Sequence, residues 1–456
     1  MKKHGSHKQG RSLRSSQIIP LGFLLLIAVG TLLLLLPVST AGGRRTDVLT
    51  ALFTATTSVC VTGLVTVDTF SHWSAFGQAI ILVLIQLGGL GVVAVSSSVL
   101  LLFGKSFSIK DRVLLRDAFN LDTIQGLLRF LLRVVLGVFS VEAVGAALYA
   151  FAFVPRFGLG RGLWYALFHA VSAFCNAGLD ILGPNSLIPY ANDGWVLFVT
   201  MALIVIGGLG YIVWFDVVQT CALRCRRQRG ARLGEHTRLV LLLTAGLIFV
   251  GALAVLLLEG NNPYTLGSMP FGQKVLHSLF QSVTFRTAGF AAIPQGRLTE
   301  GTTLLGCLWM FIGGSPMGTA GGVKTVTLFA IAAGAVSYVQ KRRETVVFRR
   351  QIPAELLQKS AAIVLMSLSV TLLAAFVLLY TERLPLSDVL YETFSATATV
   401  GLSRGITQSL SPAGRLIVVI CMYLGRIGPI SMALFFRSEE AQGDDIQHAQ
   451  GRFFVG

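Results

Sequence analysis

The sequence predicts an all-α membrane protein made of four repeats around one central axis, each repeat a helix, a short re-entrant helix with a loop, and a second helix. Three observations predict it. Hydrophobic residues make up 54% of the 456 positions, charged residues only 13%, and the mean hydropathy is +0.72. Apolar segments long enough to cross a bilayer recur along the chain. A short glycine-containing segment also recurs four times at nearly equal spacing.

Eight apolar segments are long enough to be membrane spans. They cover about 18–37, 77–103, 126–152, 195–220, 239–258, 302–339, 360–381 and 413–436. The first segment is read as a retained helix, because no small-residue cleavage site fits well after it. An even number of spans puts both termini on the same side of the membrane.

The net charge of +16 follows a topological pattern, so it gives no reason to expect a nucleic-acid partner. Basic residues gather between alternate spans, near residues 2–14, 105–116, 224–232 and 341–359. By the positive-inside rule these segments are cytoplasmic, and both termini are therefore predicted to lie inside. The acidic residues of the opposite loops are either solvated charge or an outer vestibule that concentrates cations. They are Asp68, Asp180, Asp193, Glu259, Glu300, Glu382 and Asp388. Disulfides and zinc are not expected from the six cysteines.

The internal repeat is marked by four glycines, Gly63, Gly178, Gly289 and Gly401. Consecutive glycines are separated by 115, 111 and 112 residues. Each one is the second-to-last residue of one of four similar stretches, FTATTSVCVTGL, FHAVSAFCNAGL, FQSVTFRTAGF and YETFSATATVGL. A second shared mark follows each of them inside the next span: GGLG, GGLG, GGSPMG and GRIG. These marks could also serve only to let helices approach closely. That explanation does not account for four glycine turns outside any span.

Each short stretch is predicted to enter and leave the membrane from the outside. About ten residues cannot span a bilayer, and non-helical backbone at that depth is tolerated only where it lines protein or water. Short helices entering from outside direct their carbonyl ends inward, which favours a cation. Glycine at the turn lets successive carbonyl oxygens face the axis and replace the water shell of an ion. The predicted chemistry is cation selection by backbone oxygen.

The fourth stretch contains Thr399, Val400 and Gly401, which match the start of the potassium-channel filter TVGYG. With SVCVTGL, FCNAGLD, TFRTAGF, TAGGVKT and GRIGPIS in order, residues 17–436 resemble the Trk/Ktr/HKT superfamily of potassium transporters, in particular its bacterial Ktr-type membrane subunit. The resemblance implies a pore helix with a filter loop in each repeat. It implies that K+ is bound by backbone oxygens of Val61, Thr62, Gly63, Asn176, Ala177, Gly178, Thr287, Ala288, Gly289, Thr399, Val400 and Gly401.

The resemblance also gives the domain organisation. It implies a basic cytoplasmic N-terminus (1–17), repeats over 18–103, 126–220, 239–339 and 360–436, and a cytoplasmic tail (437–456). It further implies a homodimer in the plasma membrane seated on a cytosolic ring of nucleotide-binding regulatory subunits, with Na+ as a candidate activator. A secondary transporter coupled to Na+ or H+, with alternating access, is the alternative. The spans contain no HExxH motif, no GxSxG motif and no close pair of acids, so an enzyme is not expected.

The sixth segment must break. Its 38 residues would make a helix about 57 Å long at 1.5 Å per residue, against a hydrocarbon core of about 30 Å. The break is predicted in GGSPMGTAGGVKT (313–325), which holds five glycines and Pro316. It is either a kink without a function or, by the resemblance, an intramembrane loop that gates the pathway. The candidate gating residues are Gly313, Gly314, Gly318, Gly321, Gly322, Lys324 and Arg426.

Two arginines lie within the apolar region. An ionised side chain at that depth marks the pathway or a buried partner. Arg426 is therefore either a positive barrier below the filter, as the resemblance implies, or the partner of an acid such as Asp216 or Glu392. Arg286 is predicted to brace the third loop by pairing with an acid such as Glu392, and direct contact with the ion is the alternative.

Overall fold

The structure is a computed structural model that describes residues 15–91, 127–226 and 232–428. Within these ranges the regular secondary structure is α-helix, with short 3-10 turns and one two-stranded antiparallel hairpin, β1 (Val346–Val347) and β2 (Arg350–Gln351), and loops join these elements. The predicted cytoplasmic N-terminus up to residue 14, the basic segment at 105–116, Arg227 and Arg229, and the tail at 437–456 lie outside the described residues. The predicted all-α fold is confirmed.

The helices fall into four similar groups. They are α1 (Ser15–Leu34), α2 (Val48–Val59), α3 (Thr69–His72), α4 (Ala75–Leu90), α5 (Leu127–Phe157), α6 (Leu159–Phe174), α7 (Gly194–Leu209), α8 (Tyr211–Cys225), α9 (Glu235–Glu259), α10 (Phe271–Phe285), α11 (Glu300–Phe311), α12 (Thr325–Val339), α13 (Ala354–Glu382), α14 (Leu386–Thr397) and α15 (Pro412–Ile427).

Each group has a long first helix, a short buried second helix and a third helix that starts from a capped end. The short helices are α2, α6, α10 and α14, of 12, 16, 15 and 12 residues. The third helices α4, α7, α11 and α15 begin after Ser74, Asp193, Thr299 and Ser411. In each case the side-chain oxygen of that residue accepts a hydrogen bond from a backbone N–H of the first turn. The same polar cap at four equivalent positions supports the repeat.

The second shared mark of the sequence has two structural roles. Its first glycine lets the third helix touch the end of the short helix, since a β-carbon on Gly88, Gly207 or Gly425 would lie 1.9, 2.0 or 2.1 Å from the carbonyl oxygen of Val59, Phe174 or Thr397. Its last glycine ends the helix. Gly91, Gly210 and Gly428 have φ of 86°, 88° and 86°, values that residues with a β-carbon rarely adopt.

Four described helices, α1, α5, α9 and α13, are long and apolar enough to cross a membrane, by length and composition. The bent pair α7 and α8 makes a possible fifth span, with an angle of 100° at the break. The apolar segment predicted as a span over 195–220 is therefore two helices that meet at Gly210. The helix ends at Gly210 for the same reason that α4 ends at Gly91, namely a left-handed glycine after a close helix contact.

The predicted break in the sixth apolar segment is confirmed. Helix α11 ends at Phe311 and α12 begins at Thr325, and residues 312–324, here named the broken segment, join them. Ile312 and Val323 form a parallel β-bridge across its base, where the amide of Gly313 donates to the carbonyl oxygen of Val323 at 2.9 Å. These contacts join the two ends of the broken segment, which therefore forms a closed loop.

Candidate cation pathway

The four marked glycines end loops of the same backbone conformation. The glycine loops are residues 61–63, 176–178, 287–289 and 399–401, each directly after a short helix and its cap. Their first residues, Val61, Asn176, Thr287 and Thr399, have φ of 55°, 59°, 61° and 51°. Their glycines have φ of 97°, 63°, 84° and 98°. Four chain segments that are far apart in sequence thus adopt the same unusual turn, although only the last one reads TVG.

The four glycines meet in a closed ring. A β-carbon on Gly63 would lie 2.4 Å from the carbonyl oxygen of Ala177, and one on Gly178 would lie 2.7 Å from that of Ala288. One on Gly289 would lie 2.5 Å from the oxygen of Val400, and one on Gly401 would lie 2.2 Å from that of Thr62, which closes the cycle. Any side chain here would collide with the carbonyl of the next loop.

A hydroxyl group on each short helix holds the glycine loop that follows. The amide of Gly63 donates to Thr57 Oγ1 at 2.9 Å, and the amide of Gly401 donates to Ser395 Oγ at 3.0 Å. The hydroxyls of Ser172 and Thr284 instead donate to the carbonyl oxygens of Leu179 and Phe290, at 2.5 and 2.6 Å. Sequence reasoning missed these braces. Their signal was a serine or threonine five or six residues before each glycine.

The broken segment lies against the second repeat and the fourth glycine loop. The amides of Ser315 and Thr319 donate to the carbonyl oxygens of Gly208 and Gly207, at 3.0 and 3.1 Å. The hydroxyl of Thr319 donates to the carbonyl oxygen of Phe174, at the end of the short helix α6, at 3.0 Å. The broken segment is thus hydrogen-bonded to the second repeat.

The candidate gating glycines allow close backbone contact. A β-carbon on Gly321 would lie 1.9 Å from Thr399 Oγ1, and one on Gly318 would lie 3.0 Å from the carbonyl oxygen of Gly207. A β-carbon on Gly313 would lie 1.8 Å from the carbonyl oxygen of Gly321, and one on Gly314 would lie 2.5 Å from the β-carbon of Ala320. Gly322 has a φ of 65°. Larger residues would not fit this packing.

Two cationic side chains bind carbonyl oxygens of the broken segment. Arg426 donates through Nη1 to the oxygen of Thr319 at 2.9 Å and through Nη2 to the oxygen of Gly88 at 2.5 Å. Lys324 Nζ donates to the oxygen of Ala320 at 2.6 Å. Arg426 makes no ion pair with Asp216, whose carboxylate accepts from the amide of Gly234 at 2.8 Å. The charge of Arg426 is therefore satisfied by backbone oxygens of the first repeat and the broken segment.

The predicted pairing of Arg286 with Glu392 was wrong. Glu392 faces the outer loop of the fourth repeat, where it accepts hydrogen bonds from Ser403 at 2.7 Å and Thr407 at 2.5 Å. Arg286 is buried behind the third glycine loop and lines a small cavity with Gly208 and Gly314. The two residues belong to different repeats, and the geometry of each loop turns their side chains toward different neighbours.

Most of the outer acids hold loops together. Glu259 accepts hydrogen bonds from Thr265, Thr299 and Asn262. Ion pairs join Asp193 to Arg156 at 2.6 Å and Arg404 to both Asp388 and Glu300. Glu382 accepts from the amide and hydroxyl of Ser411. These contacts favour structural roles over a vestibule of free charge.

Asp180 is different, because it lies two residues after the glycine of the second loop. Its carboxylate accepts from the amide of Leu182 at 3.3 Å. Burial raises its pKa to about 7, and the nearby charge of Asp68 raises it further, while hydrogen bonds from Leu182 and Ser186 oppose the shift. Its charge therefore changes near neutral pH, close to the glycine ring.

A buried acid behind the second glycine loop was also missed. Glu142, in α5, is 3% exposed, and the thiol of Cys175 lies 3.8 Å from its carboxylate and 3.9 Å from Gln86 Oε1. Cys175 immediately precedes the loop. A lone glutamate within an apolar helix was the available signal. Among the described residues no group of three or more His, Cys, Asp or Glu side chains is arranged to hold a metal ion.

The structure is a helical bundle with several apolar spans, in which the carbonyl groups of four loops of the same conformation meet in one ring. This arrangement defines a multi-pass membrane transport protein rather than an enzyme. Comparison with protein families agrees with this class. The TrkH family model, described as a cation transport protein, matches residues 2–446, and the chain belongs to that family.

The relatives extend over nearly the whole chain. Ktr system potassium uptake protein B of Bacillus subtilis is 38% identical over 440 residues, 96% of this chain and 96% of that protein. The protein of the same name from Vibrio alginolyticus is 36% identical over 93% of this chain and 91% of its own length. Potassium/sodium uptake protein NtpJ of Enterococcus hirae is 33% identical over 95% of this chain and 96% of its own length.

The fold is also that of a solved structure. The crystal structure of the potassium transporter TrkH from Vibrio parahaemolyticus matches with a TM-score of 0.72 over 95% of this chain and 87% of that chain. The sequences are 16% identical, so this match concerns the fold. It agrees with the all-α architecture described above.

Proposed function

We propose that this protein takes up K+ through a channel-like pore whose selectivity filter is formed by the four glycine loops. The observation that carries the proposal is the closed ring of Gly63, Gly178, Gly289 and Gly401. The carbonyl oxygen of the residue before each ring glycine lies next to the ring glycine of the preceding repeat, and Thr62 of the first repeat lies next to Gly401 of the fourth. Backbone oxygens arranged around an axis can replace the hydration shell of an ion. Potassium uptake in the names of the two Ktr relatives supports K+ as the cargo.

The broken segment is the proposed gate. It packs against the fourth glycine loop, where a β-carbon on Gly321 would lie 1.9 Å from Thr399 Oγ1. It runs for 13 residues without a helix. Hydrogen bonds tie it to its surroundings, including the one from Arg426, while Lys324 bonds to Ala320 within the segment. A loop rich in glycine has many conformations of similar energy once such bonds are released. Moving the broken segment would open the inner end of the pathway.

A cytosolic regulatory subunit is part of the proposal. The relatives named component B of a Ktr system support a protein that works with separate components. A ring of nucleotide-binding subunits, a homodimer of this chain, a plasma-membrane location and cytoplasmic termini follow from the resemblance stated above and from the basic segments. Na+ is the proposed activator.

Flux into liposomes tests the transport proposal. Purified protein in liposomes should admit K+ or Rb+ down an imposed gradient, and a membrane potential, negative inside, should increase the flux. Na+ in place of K+ should give a lower flux. Equal or greater Na+ flux at the same potential would contradict a K+ filter, and K+ movement that requires a Na+ or H+ gradient would favour the coupled transporter.

Cysteine labelling tests the orientation. Single-cysteine variants at Arg226 and Glu382, made in a chain without its native cysteines, should react differently with a membrane-impermeant maleimide added outside intact cells. Position 382 should react and position 226 should react only after permeabilisation. The reverse pattern would contradict cytoplasmic termini.

A further inference from the structure

A short basic hairpin joins α12 to α13, away from the glycine ring in sequence. Its strands are β1 and β2. The segment 341–352, here named the basic hairpin, reads KRRETVVFRRQI, and its five basic residues and one acid give a net charge of 5 − 1 = +4. All five basic side chains are exposed. The basic hairpin is therefore a concentrated positive surface patch.

Hydrogen bonds and one ion pair hold the basic hairpin in place. The amide of Arg342 donates to the carbonyl oxygen of Ser337, in the last turn of α12, at 2.9 Å. The amide of Ile352 donates to the carbonyl oxygen of Thr345 at 2.8 Å, which closes the hairpin. Arg350 Nε lies 3.2 Å from Oε1 of Glu235, the first residue of α9. The patch therefore has a defined position on the bundle.

These contacts place the basic hairpin at a membrane boundary. Helix α9 begins at Glu235, and α13 begins at Ala354, three residues after the end of β2. Both helices are long and apolar enough to cross a membrane. A segment that contacts the starts of two spans lies close to the lipid headgroups. Tyr338, at the adjoining end of α12, is 85% exposed, and tyrosine is enriched at this level of a membrane.

The tip of the basic hairpin has a strained backbone. Phe348 and Arg349, which connect the two strands, have φ of 49° and 65°, as in a type I′ turn. Asparagine and glycine are favoured in such turns, because a bulky residue adopts a positive φ only at a cost. The side chains of Phe348 and Val346 are nevertheless 44% and 45% exposed. The tip keeps an aromatic and a cationic side chain where glycine would suit the backbone better, which indicates a use for those side chains.

The charge of the basic hairpin is largely unneutralised. Within the described ranges, Arg350 is the only one of its five basic residues that forms an ion pair. Basic residues at a membrane surface attract anionic lipids, and neighbouring apolar side chains enter the boundary between headgroups and acyl chains. A stable protein partner would need about 800 Å² of contact area on each side, which strands of two residues do not offer by themselves. Charge and size therefore favour lipid.

We propose that the basic hairpin is a binding surface for anionic phospholipids. Lys341, Arg342, Arg343 and Arg349 supply the positive field for the headgroups, and Phe348 enters the layer of the upper acyl carbons. By the positive-inside rule this end of the bundle faces the cytoplasm, so the lipids are those of the inner leaflet. The proposal does not depend on the transported ion or on the glycine ring.

Removing three charges from the basic hairpin tests the proposal. The triple variant Arg342→Gln, Arg343→Gln and Arg349→Gln should bind phosphatidylglycerol about a hundredfold more weakly, since each basic residue near an anionic surface contributes a factor of about five. Native mass spectrometry of the purified full-length protein in a neutral detergent measures the fraction that carries lipid as the lipid concentration rises. The unmodified protein should prefer phosphatidylglycerol to phosphatidylcholine with the same acyl chains.

Two further variants separate a local surface from total charge. The matched control Arg44→Gln, Arg45→Gln and Arg161→Gln removes three exposed arginines from the loop before α2 and from α6, and it should keep the affinity of the unmodified protein. Phe348→Ser keeps every charge but removes the apolar anchor, so it should weaken binding by about tenfold.

Several results would overturn the proposal. Equal affinity in the hairpin variant and the control would mean that total charge or another surface binds the lipid. Equal affinity of the unmodified protein for phosphatidylglycerol and phosphatidylcholine would exclude a preference for anionic lipid. Displacement of the lipid by glycerol 3-phosphate would mean that the hairpin binds phosphate rather than a membrane. No ion flux enters these measurements, so their failure would leave the transport proposal unaffected.

Discussion

Arg426 Nη1 donates a hydrogen bond to the carbonyl oxygen of Thr319 at 2.9 Å, across 107 residues of sequence. The same guanidinium binds the carbonyl oxygen of Gly88 in the first repeat. One side chain of the fourth repeat therefore ties the broken segment of the third repeat to a helix end of the first. Arg426 occupies the position where the first two repeats have Gly89 and Gly208.

Replacing Arg426 by alanine should favour release of the broken segment. Hydrogen bonds to a charged group contribute about 1.5–3 kcal/mol each, so losing the bond to Thr319 shifts the balance between closed and released forms by about tenfold or more. K+ flux in liposomes should rise accordingly. Arg415→Ala is the control, since Arg415 is on the same helix and also donates to backbone oxygens, those of Leu410 and Gln408, away from the broken segment. Equal flux in the two variants would contradict the proposal that Arg426 holds the broken segment closed.

Deleting Ser315–Thr319 should raise K+ flux and make it less dependent on a cytosolic subunit. The deletion removes the bonds from Ser315 and Thr319 to the carbonyl oxygens of Gly208 and Gly207 and the acceptor for Arg426. Flux is measured in liposomes after size-exclusion chromatography has shown a folded protein. A folded deletion variant with unchanged or lower flux would mean that the broken segment is structural.

Gly401→Ser should reduce the preference for K+ over Na+ by about tenfold while protein level changes little. Serine would bring its β-carbon to 2.2 Å from the carbonyl oxygen of Thr62 at a φ of 98°, so the ring must shift, at a cost of about 1–3 kcal/mol. Gly405→Ser is the matched control, because Gly405 has a φ of 104° but nothing within 4 Å of its added β-carbon. Relative Rb+ and Na+ flux measures the preference.

Ser395→Ala should destabilise the protein by about 1–3 kcal/mol, because the amide of Gly401 would lose its acceptor and stay buried without a partner. The melting temperature in detergent should fall, and the preference for K+ should weaken in parallel. The exposed Ser409, which donates to the carbonyl oxygen of Ile406 at 2.9 Å, provides the control Ser409→Ala. A melting temperature equal to that of the control would show that this hydroxyl does not hold the loop.

Uptake at low K+ concentration should increase as the external pH rises from 6 to 8. The pKa of Asp180 is raised to about 7, so its carboxyl is mostly neutral at pH 6 and mostly ionised at pH 8, where it attracts cations to the ring. Asp180→Asn should remove this rise and keep uptake near its level at pH 6. Asp47→Asn, which removes an exposed outer charge but keeps a helix-capping side chain, should leave the pH profile unchanged.

The raised pKa of Asp180 also determines how the free energy of unfolding changes with pH. Between the ordinary pKa of an aspartate, about 3.9, and pH 7, the folded protein holds a proton on Asp180 that the unfolded chain has lost. This group therefore lowers the free energy of unfolding as the pH rises through that window. Asp180→Asn should flatten that dependence in detergent, measured by thermal unfolding.

Local pattern explains which features could be predicted. Hydropathy, alternate basic segments and the spacing of Gly63, Gly178, Gly289 and Gly401 gave the all-α fold, the four repeats and the glycine positions. The length of the sixth apolar segment gave its break, because no straight helix of 38 residues fits a bilayer. The bend at Gly210 was missed, since an apolar run over 195–220 looks continuous and one glycine within it gives no unique signal.

By itself, the sequence determined properties that depend on neighbours along the chain: hydropathy, helix length, helix caps such as Ser411, and glycine at turns that need a positive φ. Only the tertiary structure decided how these meet. The closure of Gly401 onto Thr62 and the bonds of Arg426 to Thr319 and Gly88 join residues 107 or more positions apart. The separation of Arg286 from Glu392 also depends on contacts between repeats. Such contacts depend on how the repeats pack around the axis, and packing is a property of the whole bundle rather than of any window of sequence.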